Sequence, residues 1–370
     1  MIYLDYQATT PVAPEVAKAM RPWAEDHFAN SHSPSRWGRE AAAAIEVARD
    51  QVEPAIGLSG GSVAFTGGAT EAINWALKGT IEQAQGRNRI VTIATEHAAV
   101  LDSCEWLEGQ GCEVIRLPVG PDGLVALADV KAALDERVAI VAAMLVNNEI
   151  GVIQPVGEIA ALAHEVGALM LCDAVQGLGR VPIPHGPDLV AVSAHKVHGP
   201  KAIGALWMRA GSEPAPFIHG GGQERGLRSG TLSPALCVGF GVAARLARER
   251  KQDQVHVERL WKAALAVLGP DWVVNGSADI RYCGNLNLRR EGLDAARLIS
   301  DLRNIAFSLG SACASGSGRP SHVLRALGLS DAQARSSIRL GFGRYTTEAE
   351  LVDAITRVDA AARAQQDIAA

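Results

Sequence analysis

The feature that most limits the possible folds is an alternation of short apolar runs with helical stretches between residues 62 and 193. Six runs are typical of buried strands: Ser62–Thr66, Arg89–Ala94, Glu113–Leu117, Val138–Leu145, Ala168–Cys172 and Leu189–Ser193. Four stretches between them have helical composition: Thr70–Lys78, Ala98–Leu107, Val125–Leu134 and Val156–Val166. Near-continuous apolar strands that alternate with helices predict an α/β fold, a mostly parallel sheet covered by helices on both faces.

The pattern changes after the Gly-rich segment His219–Gly230. One long helix is expected over roughly Ala235–Leu268, whereas the first 35 or so residues are expected to be irregular. Later elements are shorter, with strands at Asn285–Leu288 and Ser337–Phe342 and helices at Asp294–Asn304 and Glu348–Ala362. A chain of 370 residues is too long for one small core. We predict a large domain over residues 15–255 and a smaller α+β domain over residues 1–14 and 256–370.

Charge and composition exclude several classes of protein. The net charge is −5, with acids and bases interspersed, so we expect no nucleic-acid partner and no membrane-surface binding. No apolar run reaches the ~20 residues of a membrane helix, and the N-terminus lacks the basic and apolar regions of a signal peptide. Six scattered cysteines without a Cys-x-x-Cys pair predict neither a disulfide framework nor a metal site. A reducing cytoplasm is the expected location.

Three short segments place polar groups at the ends of predicted strands, where ligands bind in such sheets. Thr66–Glu71 joins a strand to a helix and could bind an anion, although many ordinary helix N-termini look the same. Asp173 ends an apolar strand; it could pair with a cationic ring nitrogen or equally well with an arginine. Ser193–Lys196 ends the next strand and places a lysine behind an apolar run, where lysines are rare.

A lysine amine is the group that forms a Schiff base with pyridoxal phosphate, and an acidic partner for the ring nitrogen is its usual companion. Asp173 precedes Lys196 by 23 residues, about one strand–crossover–strand unit, so the two can lie on neighbouring strands. The three segments together predict a phosphate-binding turn, a partner for the ring nitrogen and a Schiff-base lysine. This combination favours a pyridoxal-phosphate site over a lysine that merely extends to solvent.

The chain resembles the cysteine desulfurases, pyridoxal-phosphate enzymes related to class V aminotransferases, over roughly residues 2 to 365. The motifs that carry this resemblance are Leu4–Tyr6, Ala8–Pro11, Gly68–Glu71, Thr95–His97, Val146–Val152, Asp173–Gln176, His195–Lys196, Gly199–Lys201, His219–Gly222, Arg228–Thr231, Gly310–Cys313 and Ser337–Arg339. The resemblance implies the fold of type I pyridoxal-phosphate enzymes, with a large and a small domain. It also implies a homodimer that transfers the sulfur of L-cysteine to Cys313 as a persulfide and releases L-alanine.

Residue roles follow from the same resemblance. Lys196 would bind pyridoxal 5'-phosphate and move the substrate Cα proton, and His97 would stack on the ring and act in acid–base steps. Asp173 would pair with the ring nitrogen and Gln176 with the phenolic oxygen. Asn148 and Arg339 would hold the substrate carboxylate, with Asn148 also beside the cofactor. The phosphate ligands would be Ala69, Thr70, Ser193, His195 and, from the partner subunit, Thr231.

Cys313 is the expected nucleophile. It lies in the Gly/Ser-rich segment Ser308–Ser321, which has little apolar surface to bury, and half of such a segment can reach about 20 Å. The other five cysteines are expected to be ordinary core residues. This cysteine separates a desulfurase from the alternatives, a class V aminotransferase or a non-catalytic adaptor, but not from a selenocysteine lyase. The sulfur acceptor, such as an iron–sulfur scaffold protein, is not identified by the sequence.

Overall fold

The computed structural model describes residues 1–310 and 320–369. Its strands are β1 (Ile2–Tyr3), β2 (Gly61–Thr66), β3 (Arg89–Ile93), β4 (Glu113–Leu117), β5 (Val138–Met144), β6 (Leu169–Asp173), β7 (Leu189–Ser193), β8 (Gly204–Arg209), β9 (Val273–Val274), β10 (Asn285–Arg289), β11 (Ile305–Ala306), β12 (Ser308–Leu309) and β13 (Ser337–Gly341). Its α-helices are α1 (Pro14–Glu25), α2 (Arg36–Ile56), α3 (Ala69–Gln83), α4 (Ala98–Glu108), α5 (Leu127–Ala133), α6 (Val156–Glu165), α7 (Pro234–Ala247), α8 (Arg250–Val267), α9 (Ala295–Asp301), α10 (His322–Ala326), α11 (Asp331–Arg335) and α12 (Glu348–Ala369).

A seven-stranded sheet forms the centre of the molecule, in the order β2-β8-β7-β6-β5-β3-β4. Strands β3 to β7 run parallel to one another, and β8 is antiparallel to both β2 and β7. The predicted mostly parallel α/β sheet is therefore confirmed. Since β6 and β7 are adjacent and parallel, Asp173 and the residues after Ser193 meet at one edge of the sheet.

Both faces of the central sheet are covered, and the residues of β7 show how. Val190 and Val192 face the core formed with α2, α6 and α7, whereas Leu189 and Ala191 face the core formed with α3 and α4. All five residues of this strand are buried. A run that is apolar at every position therefore fits a strand with helices on each side, as its sequence predicts.

The C-terminal part builds a second sheet in the order β12-β13-β10-β9, with antiparallel pairing. The N-terminal strand β1 pairs in parallel with β11, so Ile2 lies opposite Ile305. The first residues of the chain thus pack with some of the last. The predicted division of the chain near residue 255, within α8, stays a prediction.

Two predictions of local structure were wrong. The first 35 residues contain the helix α1, because Pro14 occupies the first helical position, where a proline costs no hydrogen bond. The long helix expected over Ala235–Leu268 is two helices, α7 and α8, separated at Arg248 and Glu249. The apolar α7 packs against α1 and α2, whereas the polar α8 packs against α12, so tertiary contacts determine the break.

No helix in the described part of the chain is long and apolar enough to cross a membrane. Within the same residues, no cluster of three or more His, Cys, Asp or Glu side chains could hold a metal ion. The predicted nucleophile Cys313 lies outside the described residues.

Candidate active site

A cavity of about 710 Å³ opens at the carboxyl edge of β5, β6 and β7. Ligand sites usually measure about 300–1,000 Å³, so this one can hold a cofactor together with a small substrate. It brings together ten of the predicted site residues: Ala69, Thr70, His97, Asn148, Asp173, Gln176, Ser193, His195, Lys196 and Arg339. The sequence predictions for these positions thus converge on one space.

The amino end of α3 forms one wall of this cavity. Its first turn, Ala69 and Thr70, presents N–H groups that have no acceptor within the helix, and such a turn attracts anions. A Cβ atom at Gly204 would lie 2.8 Å from the carbonyl carbon of Gly68 and 2.9 Å from the nitrogen of Ala69. Only glycine therefore allows β8 to approach the start of α3 this closely.

An ion pair beside the same helix end removes an unfavourable charge. Glu71 lies in the first turn of α3 and receives hydrogen bonds from Arg228, at 2.7 Å from Nε and 3.0 Å from Nη2. The pairing neutralises a carboxylate that would otherwise repel an anion bound at this turn. Lys201, which the sequence predictions did not assign a role, also lines the cavity and adds positive charge.

Asp173 ends β6 as a buried carboxylate that faces the cavity. Its Oδ1 accepts a hydrogen bond of 2.9 Å from the backbone N–H of Val175. Burial raises the pKa of Asp173, and the charges of His97 and Lys196 offset only part of this effect. A cationic ligand that entered the cavity would favour the ionised form of this side chain.

Lys196 closes a one-turn 3-10 helix, Ala194–Lys196, that directly follows β7. Its Nζ donates hydrogen bonds to the backbone carbonyls of Gln7 at 2.6 Å and Ala8 at 2.8 Å. The N-terminal segment therefore crosses over the lysine and fixes the position of its amine. The sequence predictions did not assign this role to Gln7 and Ala8, because the contact joins residues far apart in the chain.

Ser193 and His195 flank the lysine and face the same cavity. The Nδ1 atom of His195 lies 3.1 Å from the Thr9 hydroxyl. Burial lowers the pKa of His195 to about 4, and the neighbouring positive charges of Lys196, Lys201 and Arg180 act in the same direction. This ring is therefore neutral near pH 7, and it can donate one hydrogen bond to an anion.

His97 caps the amino end of α4. Its Nδ1 accepts a hydrogen bond of 3.0 Å from the backbone N–H of Ala99. In the neutral ring this acceptor carries no proton, so the proton is assigned to Nε2. The side chain thus presents a donor rather than a base in this arrangement.

Gln176 lies at the bottom of the cavity and is held on two sides. Its Nε2 donates to the backbone carbonyl of Gln7 at 2.9 Å, and its Oε1 accepts from Nη1 of Arg180. The amide therefore has a defined orientation. Arg180 was not among the predicted site residues, because nothing in its sequence context separates it from a surface arginine.

Arg339 is completely buried in β13 and reaches the cavity from the second sheet. Its Nη2 donates to Asp5 Oδ1 at 2.8 Å, and its Nη1 donates to the backbone carbonyl of Asn148 at 2.9 Å. Each terminal nitrogen keeps a second N–H that could donate a hydrogen bond to a carboxylate. Asp5 and Asn148 thus fix the guanidinium at the cavity wall.

Thr231 is exposed and does not line this cavity. The segment before it is anchored by the Arg228–Glu71 pair and by a buried ion pair of 2.7 Å between Arg49 and Glu224.

Five cysteines, Cys104, Cys112, Cys172, Cys237 and Cys283, are free. Cys104, Cys172 and Cys237 are buried, as expected of core residues, and the other two are half-buried.

Comparisons with known proteins show which family the chain is similar to. The family model for aminotransferase class-V matches residues 2–354. A cysteine desulfurase IscS from Rickettsia bellii (strain OSU 85-389) is 44% identical over 361 residues, which cover 95% of this chain and 88% of that protein. A second one, from Rickettsia akari (strain Hartford), is 43% identical over 368 residues, 96% of this chain and 90% of the other.

Solved structures give the same result. A NifS-like protein superposes with a TM-score of 0.90 at 32% identity, covering 97% of this chain and 98% of the other. SspA in complex with cysteine superposes with a TM-score of 0.84 at 34% identity, over 94% and 100% of the two chains. The chain therefore belongs to the class V aminotransferase family and, within it, to the cysteine desulfurases.

Proposed function

We propose that this chain binds pyridoxal 5'-phosphate through Lys196 and converts L-cysteine to L-alanine, with transfer of the sulfur to Cys313 as a persulfide. The observation that carries the proposal is the single cavity that joins Lys196, Asp173, Arg339 and the first turn of α3. The similarity to cysteine desulfurases, and to a structure solved with cysteine, supports the choice of substrate.

The residues present fit pyridoxal phosphate at both of its ends. The open helix turn at Ala69 and Thr70, together with Ser193 and neutral His195, suits a phosphate group. At the other end, the buried carboxylate of Asp173 has a raised pKa and would gain from a cationic ring nitrogen. Lys196 lies between them, with its amine held by two carbonyls.

When bound, pyridoxal phosphate supplies a ring that spreads the negative charge that develops at the substrate Cα. Lys196 would hold the cofactor and then move the Cα proton, a step that needs its uncharged amine. Arg339 would bind the substrate carboxylate through its remaining N–H groups, because Asp5 and Asn148 already fix its plane. Asn148 itself would line the substrate side of the cavity.

His97 would stack on the cofactor ring and take part in proton transfer. Because its Nδ1 accepts from Ala99, its proton is on Nε2, and we propose that it acts first as a donor. Loss of this proton would leave an imidazolate, so Nε2 could accept a proton from a thiol only after the ring shifts its proton to Nδ1 and releases the Ala99 N–H. Gln176 would donate its remaining amide N–H to the phenolic oxygen.

The sulfur transfer itself rests on Cys313, whose role is argued from the sequence alone. The Cys313 thiolate forms a sulfur–sulfur bond with the substrate Sγ while the Cβ–Sγ bond breaks. The electron pair of that bond stays with Cβ, which takes up a proton, so that L-alanine leaves. A persulfide remains on Cys313 for transfer to an acceptor, for which an iron–sulfur scaffold protein is one candidate.

We also propose that the enzyme is a homodimer in the cytoplasm. Thr231 lies outside its own cavity, which suits a phosphate contact in the partner subunit, and the large side chains Phe28 and Trp37 are 75% and 63% exposed. Burial of such side chains in a dimer would be favourable. The five free cysteines suit a reducing compartment. A single-subunit mass in light scattering would contradict the dimer.

The central test measures both products. Purified wild type, Cys313→Ala and the control Cys283→Ala are incubated with L-cysteine and a thiol reductant, and alanine and sulfide are quantified together. Wild type and the control should form both in equal amounts, whereas Cys313→Ala should form neither at more than a trace, yet its cofactor absorbance should still respond to cysteine. Wild-type rates in Cys313→Ala would rule out the persulfide, and alanine that depends on an added keto acid would indicate an aminotransferase.

A further inference from the structure

A second, small cavity of about 40 Å³ has Arg180 in its wall, and Lys196 lines both this cavity and the cofactor space. Arg180 is 8% exposed, and its guanidinium lies over the Tyr282 ring, 5.3 Å from the centroid. No carboxylate in residues 1–310 and 320–369 forms an ion pair with it; the charged and aromatic groups that affect it are Tyr282 and Arg339. A buried cation without an acidic partner is costly, which requires an explanation.

The hydrogen bonds of Arg180 all lead toward the cofactor site. Nη1 donates to Gln176 Oε1, and Nη2 donates to the backbone carbonyl of Lys196 at 3.0 Å. A longer contact of 3.4 Å joins Nη2 to the carbonyl of Tyr6. One guanidinium thus holds a side chain beside the cofactor space and the peptide of the Schiff-base lysine.

The contact with Gln176 determines the orientation of an amide that would otherwise be free to flip. Arg180 can only donate, so the atom that faces it must be the amide oxygen. The amide nitrogen then faces the carbonyl of Gln7, at 2.9 Å, and keeps a second N–H. Since the same carbonyl accepts from Lys196 Nζ, Arg180, Gln176, Gln7 and Lys196 form one connected network.

We propose that Arg180 is a positioning residue that fixes the Gln176 amide, with its remaining N–H available to the cofactor, and that places an unneutralised positive charge behind Lys196. The inference rests on the proposed pyridoxal-phosphate site. It assigns a role to a residue that touches neither the cofactor space nor the substrate, and that acts through Gln176 and the Lys196 peptide.

The proposal predicts the direction in which a measurable pKa should change. A nitrogen that joins Lys196 to bound pyridoxal phosphate can be protonated or not, and the two forms absorb at different wavelengths. A nearby positive charge disfavours the protonated form, and an N–H on the phenolic oxygen does the same by stabilising the oxygen anion. Arg180 should therefore lower the pKa of that nitrogen. The other ionisable groups that line the two cavities, unchanged in every Arg180 variant, are Tyr6, Glu71, His97, Asp173, His195, His198, Lys201, Asp253, Tyr282, Arg339 and Arg344.

The test is a pH titration of the absorbance of the cofactor-loaded enzyme. Arg180→Met should raise the apparent pKa by about 0.5–1 unit, and Arg180→Lys should raise it by less, because an ammonium keeps the charge but not the planar fork. The matched control is Arg281→Met. Arg281 is also buried, donates to the backbone carbonyls of Ser277, Ile150 and Asn285 and lies 4.4 Å from the centroid of the Trp261 ring. The control should lose stability without a spectral shift.

Gln176→Leu, alone and combined with Arg180→Met, shows whether Arg180 acts through the amide. The effect of Arg180→Met should be smaller in the Gln176→Leu background, and full additivity would overturn the positioning role. An unchanged pKa in Arg180→Met would overturn the whole inference. If Arg180→Met folds but does not retain the cofactor, the titration of Arg180→Lys decides, and a wild-type pKa there also overturns it. Wild type that lacks a cofactor bound at Lys196 would instead refute the proposed function.

Discussion

Asp173 and Asp188 are buried aspartates at opposite edges of the central sheet. Asp188 immediately precedes β7 at the amino edge, and it is saturated with partners: Arg209 Nε at 2.9 Å, His164 Nε2 at 2.8 Å and the Met170 N–H at 2.9 Å. Asp173 ends β6 at the carboxyl edge, where its Oδ1 accepts one hydrogen bond from the backbone N–H of Val175. Burial raises the pKa of Asp173.

The difference separates a structural carboxylate from one available to a ligand. A buried charge is tolerated when the protein supplies compensating donors, and Asp188 has them from three different elements. Asp173 is equally buried but faces a cavity; its interactions with His97 and Lys196 offset only part of the cost of burial, and a cationic molecule that enters would supply the rest. Burial alone would not distinguish the two residues; the number and charge of their partners do.

The largest expected effect is on activity. Asp173→Asn should reduce turnover by about 10- to 100-fold, because an amide cannot form a charge-assisted hydrogen bond with a cationic ring nitrogen. Without cofactor, the variant should be at least as stable as wild type at pH 7. The sign follows from the raised pKa, since an ionised Asp173 costs stability as the pH rises above the value of an unfolded aspartate. Wild-type turnover in Asp173→Asn would show that Asp173, like Asp188, has no role in the reaction.

Asp188→Asn should have the opposite profile. Loss of its charge leaves Arg209 and His164 without their acidic partner, and the free energy of unfolding should fall by about 2 kcal/mol. Turnover per folded, cofactor-loaded molecule should stay at the wild-type level, because Asp188 lies at the other edge of the sheet. Urea unfolding and steady-state kinetics on the same preparation measure both. A loss of turnover without a loss of stability would contradict this assignment.

A smaller effect is expected on how the free energy of unfolding depends on pH, through the buried side chain of His198. Burial lowers the pKa of His198 to about 4, so the unfolded chain binds a proton there between about pH 6.5 and 4 that the folded chain does not. Stability is therefore lost as the pH falls through this window. His198→Gln should reduce the difference in unfolding free energy between pH 7 and pH 5 by about 1 kcal/mol. An identical pH dependence in wild type and variant would show that His198 does not contribute.

Much of the central sheet could be predicted from the sequence because its strands are buried on both faces. The bounds predicted for Leu189–Ser193 are those observed, and the adjacency of Asp173 and Lys196 follows from the parallel order of β6 and β7. A strand that is apolar at every position is easy to recognise, and the crossover rule then determines which strand ends meet.

Other features depend on contacts that local patterns do not encode. Strand β8 was not predicted; it is antiparallel to its neighbours, and only the short connection 197–203 separates it from the one-turn helix that holds Lys196. The end of α7 at Arg248 is determined by packing, since neither glycine nor proline is present there. Gln7 takes part in the site through Lys196, a partner far away in the chain, and Arg180 does so through the Lys196 peptide as well as through Gln176, four residues before it.

The N-terminal segment has a consequence for how the protein is made. The carbonyls of Gln7 and Ala8 hold Lys196, near the middle of the chain, and Ile2 pairs with Ile305, so the first residues to leave the ribosome wait for partners that are synthesised much later. At about 20 residues per second, roughly a quarter of a minute separates the synthesis of Ile2 from that of Ile305. The central sheet can form during this interval, but the cofactor cavity is complete only when translation is nearly finished. Newly made chains should therefore acquire their cofactor after synthesis rather than during it.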